Sequence, residues 1–134
     1  MVDFTVAPGY TESDLEHIRA KMWIRSMIPS ATILFTPILF SLAIFDVIPF
    51  DTFTLGIVFL TILELVLINF ANTKNRETLS ALERDGVYLP FGRMPAEGTT
   101  VAMHNRRIQR FLLLYMVPSV VVHWMVWFIG STLI

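Results

Sequence analysis

Three long apolar blocks constrain this chain more than any other feature: Met27–Phe45, Phe53–Ala71 and Phe111–Ile134, each broken by at most one ionisable residue. A helix needs about 20 residues to cross a ~30 Å hydrocarbon layer, and each block is close to that length. The chain has 134 residues, 54% hydrophobic and 16% charged, so little is left to wrap three such blocks in a water-soluble fold. A mean hydropathy of +0.63 points the same way. The expected fold is an all-α integral membrane protein with three transmembrane helices, at residues 27–45, 53–71 and 111–134.

The distribution of charge sets the expected orientation. Arg19, Lys21 and Arg25 precede the first block. Lys74, Arg76, Arg84, Arg93, Arg106, Arg107 and Arg110 lie between the second and third, and these are all ten Lys and Arg of the chain. The short link at 46–52 holds two Asp and no base. Basic residues resist translocation, so the N-terminus and the 72–110 region are expected inside, and the 46–52 link and the C-terminus outside. Net charge is −1, and without a basic face nucleic acid is not an expected partner. Lipids and other integral membrane subunits are. The absence of cysteine excludes disulfides, thiolate metal sites and cysteine catalysis. The first apolar block comes late and is long for a cleavable signal, while Asp3, Glu12, Asp14 and Glu16 argue against a mitochondrial presequence. The expected location is a bacterial inner membrane or the energy-transducing membrane of an organelle.

Residues 1–26 read as an extended leader followed by an amphipathic helix on the inner membrane surface. Ser13 and Glu16 form an S-x-x-E capping box at its start. Leu15, Ile18 and Met22 share one face, with Trp23 and Arg25 at headgroup level. Pro29 is expected to turn the chain into the first span; the alternative is one long kinked helix over 14–45. Pro37 and Pro118 fall within spans and free the carbonyls of Ile33 and Leu114. Thr32, Thr36 and Ser119 are the nearby hydroxyls that would satisfy them. The second helix is expected to outrun the membrane and stop at Gly86. The loop beyond is apolar for a loop, with Val87, Tyr88, Leu89, Phe91 and Met94 between stiffening prolines. Two outcomes are open for it: a partner-binding patch, or a flap folded over the chain's own helices. Thr99 or Thr100 caps the next helix, and Arg106, Arg107 and Arg110 are expected to meet phosphate headgroups.

Glu64, in the middle of the second block, is the strongest candidate for chemistry. It lies about eleven residues, or roughly 16 Å, from the outer end of its span. An acid at that depth costs roughly 2.5–3.5 kcal/mol, which a partner, a wet site or protonation must offset. His123 falls at nearly the same depth in the third block. A Glu64–His123 pair sharing one proton is the expected intramembrane polar pair. The competing role for His123 is axial ligation of haem or chlorophyll. Ser119-x-x-x-His123-Trp124 is similar, over those few residues, to the small-x-x-x-His pattern of light-harvesting polypeptides, which implies a chlorophyll ligand. A bis-histidine haem within the chain is disfavoured, because His17 and His104 lie outside the spans. Three-helix anchors of succinate dehydrogenase are of similar size but share no motif with the chain, and no family is assigned.

No phosphate loop or metal-spaced cluster is present, and no catalytic residue is nominated. The expected function is that of a small non-catalytic accessory or assembly subunit of a larger membrane complex, of the respiratory or photosynthetic type. The alternatives are a homo-oligomeric channel or transporter using Glu64, and a cofactor-binding membrane subunit using His123.

Overall fold

The computed structural model describes residues 9–93 and 95–134. Among them the chain is all-α, without strands, and is built from three long rods, each long and apolar enough to cross a membrane. The first comprises α1 (Glu12–Ser30), a 3-10 segment (Ala31–Phe35) and α2 (Thr36–Ile44). The second is the unbroken α3 (Phe50–Arg84). The third joins α4 (Val101–Met116) to α5 (Pro118–Leu133) through Val117, which keeps helical angles. The rods run 33, 35 and 33 residues. At 1.5 Å per residue each is about 50 Å long, so each exceeds a ~30 Å hydrocarbon layer by several turns.

The first rod departs from the expected break. α1 starts on Thr11, not Ser13: the Thr11 hydroxyl accepts from Asp14 N–H at 3.0 Å, and the Asp14 carboxylate accepts from Thr11 N–H at 2.9 Å. The sequence T-E-S-D is itself a capping box, and using it adds helix before the expected start. Pro29 does not turn the chain, and the helix passes through it. The backbone then tightens to 3-10 winding, in which Thr36 N–H reaches the Ile33 carbonyl. That carbonyl is the one Pro37 frees, so tighter winding satisfies it within the backbone. The alternative of a single kinked helix is therefore the one adopted.

α3 is central and packs against every other helix. Its buried positions are Phe53, Ile57, Leu60, Glu64, Ile68, Ala71, Asn75, Leu79 and Leu82. The steps of four, three and four repeat along all of it, close to the 3.6-residue period, so one stripe faces inward over the whole length. The outward faces are apolar as well: Phe35, Ile38, Leu55, Phe59, Val66, Phe70, Leu114 and Phe128 are all exposed. An apolar exterior around a core containing Glu, His and Asn reverses the soluble pattern and marks a multi-pass membrane protein.

The core is layered. At the end near residues 43–53, Ala43, Phe53 and Ile57 pack with Phe40, Phe50 and Trp127. Here Gly130 lets Phe53 approach; a Cβ on it would sit 3.0 Å from the Phe53 ring. A polar layer follows, then Ile68, Ala71 and Met116. The far end is closed by Leu15, Met22, Leu79, Leu82, Val87, Leu89, Ile108 and Leu112. α3 stops at Gly86, which takes φ +67° while Val87 N–H bonds to the Leu82 carbonyl at 2.9 Å, a Schellman closure with both side chains buried. Thr100 caps α4 by accepting from Met103 N–H at 3.2 Å.

The apolar loop folds over its own helices. Leu89 is fully buried and Val87 nearly so. Phe91 stacks on Trp23 at 5.4 Å, with the rings 16° apart. Arg19 donates to the Pro90 carbonyl at 3.3 Å, and Tyr88 OH donates to the Thr99 carbonyl at 2.5 Å. Of the two outcomes open for this loop, the flap over the chain's own helices is the one seen, with Leu89 buried and Tyr88 and Phe91 half-buried. The reason is area: burying these apolar side chains against Trp23 and the α1–α4 seam removes them from water without any second protein. Met94 lies outside the described residues.

Candidate functional site

The polar layer midway along the bundle gathers five side chains from all three rods. Glu64 comes from α3, Thr32 and Thr36 from the first rod, and Ser119 and His123 from α5; all five are buried, with Glu64 and His123 at 0% exposure. His123 Nε2 lies 2.7 Å from Glu64 Oε2 and 3.0 Å from the Thr32 hydroxyl. Its Nδ1 lies 2.5 Å from the Thr36 hydroxyl. Ser119 donates to Glu64 Oε1, and Thr32 donates to the Pro29 carbonyl at 2.8 Å.

The backbone makes this convergence. Thr32 and Thr36 are four residues apart, across the 3-10 segment between Pro29 and Pro37, and they bracket the two nitrogens of one imidazole. Ser119 and His123 repeat the same spacing one rod away, just past Pro118. Glu64 enters between them on the inward stripe of α3. The structure therefore brings together the two residues expected to pair, and adds three hydroxyls. The sequence signal for those hydroxyls was present but attached to another role: they were expected to satisfy proline-freed carbonyls. That does not occur: Thr32 and Ser119 reach the carbonyls of Pro29 and Met116, not those of Ile33 and Leu114, while Thr36 serves His123.

Proton arithmetic limits what the cluster can be. With one proton shared between Glu64 and His123 and a second on Nδ1, the cluster is net neutral. Nδ1–H then donates to Thr36, and the shared proton bridges Nε2 and Oε2. Every ring nitrogen and both carboxylate oxygens are then bonded, so the cost of an acid at this depth is offset inside the chain.

This geometry does not present His123 as an axial ligand. Ligation needs one ring nitrogen with a free lone pair aimed at the metal, and both nitrogens of His123 are held by side chains of the same chain. As arranged here, the residues do not fit a haem or chlorophyll at this position. Among the described residues no group of three His, Cys, Asp or Glu is placed to hold a metal ion.

The residues expected at the headgroup level divide. Trp23 is half-buried against Phe91, Phe111 and Tyr115. Arg25 turns inward, donating to the Thr78 hydroxyl at 3.0 Å and the Lys74 carbonyl at 3.5 Å, so it ties α1 to α3 instead of standing free. Arg106, Arg107 and Arg110 are exposed. Beside Arg25, Asn75 donates to Ser26 at 3.1 Å in a second buried polar contact between α1 and α3. Asn105 donates to the Leu79 carbonyl at 2.9 Å, and His104 Nε2 lies 2.7 Å from the Leu89 carbonyl. Sequence reasoning passed over Ser26, Asn75 and Asn105, although a small polar residue on an inward stripe is the signal that would have found them.

No family model, curated protein or solved structure matches this chain.

Proposed function

We propose that the protein is a non-catalytic structural subunit of a larger assembly of integral membrane proteins. Its buried polar cluster locks its own three rods, and its apolar exterior serves lipid and neighbouring membrane subunits. The supporting observation is that Glu64 and His123 are fully enclosed and bonded to each other within one chain. A proton or ion pathway needs access from both sides, and a Glu-lined oligomeric pore needs Glu64 turned toward another copy. Neither arrangement fits a carboxylate held by His123 and Ser119 of its own chain. The finer placement, in a respiratory or photosynthetic complex of a bacterial inner membrane or an energy-transducing organelle membrane, rests on the scarcity of catalytic equipment.

The test is extraction from native membranes in mild detergent, followed by a native gel and identification of what migrates with the chain. Comigration with several unlike integral membrane subunits is expected, and their identities would place the complex. Migration as a small homo-oligomer that passes ions in proteoliposomes, with flux lost in Glu64→Gln, would overturn the proposal.

A further inference from the structure

A cavity of about 610 Å³ opens at the end of the bundle where α1, the 87–93 loop and α4 meet. Three guanidinium groups line it, Arg19 from α1, Arg93 from the loop and Arg107 from α4, with Trp23, Phe91 and Phe111 as apolar walls. Among the described residues no carboxylate lines it. Arg19 is oriented by its bond to the Pro90 carbonyl, and none of the three arginines forms an ion pair among the described residues. Like charges drawn to one cavity from three chain segments repel one another unless an anion lies between them. Planar guanidiniums favour oxyanions that accept several N–H bonds at once, phosphate above all.

The walls and the level of the cavity specify the rest of the ligand. Trp23 and Phe91 are stacked, and Phe111 meets both edge-on at 6.0 and 5.7 Å. On the side toward the middle of the bundle, the exposed surface turns apolar at once, with Ile24 60% and Leu114 63% exposed. At the cavity's own level on α4, outside its lining, stand exposed Arg106 and Arg110. The cavity thus straddles the boundary between charged and apolar surface, the level at which a headgroup phosphate lies. We propose that it binds the phosphate of an anionic phospholipid, with Arg19, Arg93 and Arg107 on the phosphate and the acyl chains descending past Phe111 and Leu114. The site is independent of the Glu64–His123 cluster and of the subunit role proposed above.

The full chain, purified in neutral detergent, is titrated with dioleoylphosphatidylglycerol and the retained lipid counted by native mass spectrometry. One lipid per chain is expected, held well above dioleoylphosphatidylcholine. At the usual contribution of one basic residue to anionic-lipid binding, Arg93→Gln/Arg107→Gln weakens retention roughly 30-fold. Arg106→Gln/Arg110→Gln removes the same charge outside the cavity and, leaving all three lining guanidiniums in place, is expected to weaken retention far less than the first pair does. Equal losses in the two pairs would reduce the effect to diffuse surface charge and overturn the site. Equal retention of phosphatidylcholine, which carries the same phosphodiester beneath a cationic choline, would overturn the proposed preference for an anionic lipid, and displacement by inorganic phosphate at the lipid's own concentration would make it a free-phosphate site. Both arginines of the test pair are exposed; should that variant nonetheless unfold, Arg93→Gln alone carries the test, with a loss of about fivefold.

Discussion

At the scale of single residues, Glu64 and His123 gain their value from each other. Replacing Glu64 by Leu takes the carboxylate from both His123 and Ser119, leaving Nε2 only the Thr32 hydroxyl and Ser119 only the Met116 carbonyl, and an under-satisfied buried polar group costs about 1–3 kcal/mol. Replacing His123 by Leu in turn leaves the carboxyl with Ser119 and Thr32 within reach. Removing both partners with side chains of similar volume removes the conflict, as swapping a whole buried pair for apolar residues often does. A double-mutant cycle on Glu64→Leu and His123→Leu, followed by thermal unfolding in detergent, is expected to give a coupling of about 1–2 kcal/mol, toward the upper end for bundle contacts. A coupling near zero would mean that the contact does not hold the fold. Glu64→Gln keeps the hydrogen-bonding outline and is expected to lie between wild type and Glu64→Leu.

At the scale of elements, close approach of the rods depends on two glycines that differ in what they face. A Cβ on Gly56 would meet Leu39 Cδ1 at 2.8 Å, and one on Gly130 would meet Phe53 Cε1 at 3.0 Å with Phe40 behind it. The shorter distance is the less damaging one. Leu39 is half-buried on the rim and its methyls can rotate away, whereas Phe53 is fully buried and wedged against Phe40 and Phe50. Gly130→Ala is therefore expected to destabilise by about 1–3 kcal/mol through overpacking. Gly56→Ala is expected to be close to neutral, its helix-propensity gain of up to ~1 kcal/mol offsetting the shift of Leu39. Melting temperatures of the two variants in one detergent decide it, and the reverse order would show that Leu39 is the rigid side.

A contact between elements far apart in sequence brings in pH. Tyr10 OH donates to Asp85 at the C-terminal end of α3. This bond, with some desolvation and the carboxylate charge, raises the Tyr10 pKa above its ordinary 10.0. A raised folded-state pKa contributes stability that is complete below the unfolded value and is lost as pH rises through the folded one. Tyr10→Phe is thus expected to lower the melting temperature slightly at pH 8, with the gap closing above pH 10. A gap that persists there would assign the effect to packing of the ring.

At the scale of the whole molecule, rod order and charge combine. The first rod leaves the basic end, α3 returns to it and the third rod leaves again, so all ten Lys and Arg collect at one end of the bundle. That end is the one expected inside, and a chain without cysteine is a clean template for labelling. In sealed right-side-out vesicles, an impermeant maleimide is expected to label exposed Val47→Cys, and to label exposed Ala96→Cys only after lysis. The opposite pattern would reverse the orientation.

Some of this was legible in one dimension. Three spans, the stop at Gly86 and the cap before α4 follow from local properties: hydropathy over about 20 residues, a left-handed glycine, a hydroxyl before a helix. The Glu64–His123 pairing was also within reach, because depth along a span is a count of residues. Rotation about a helix axis is less accessible, since one residue turns the backbone by about 100° and a proline or a 3-10 turn changes the phase of everything after it. Whether Thr32 and Thr36 face His123, whether Arg25 meets lipid or Thr78, and whether the 87–93 loop stands open or closes over Trp23 all depend on that phase. These depend on how three rods pack together, a property of their joint geometry that no stretch of the chain carries alone.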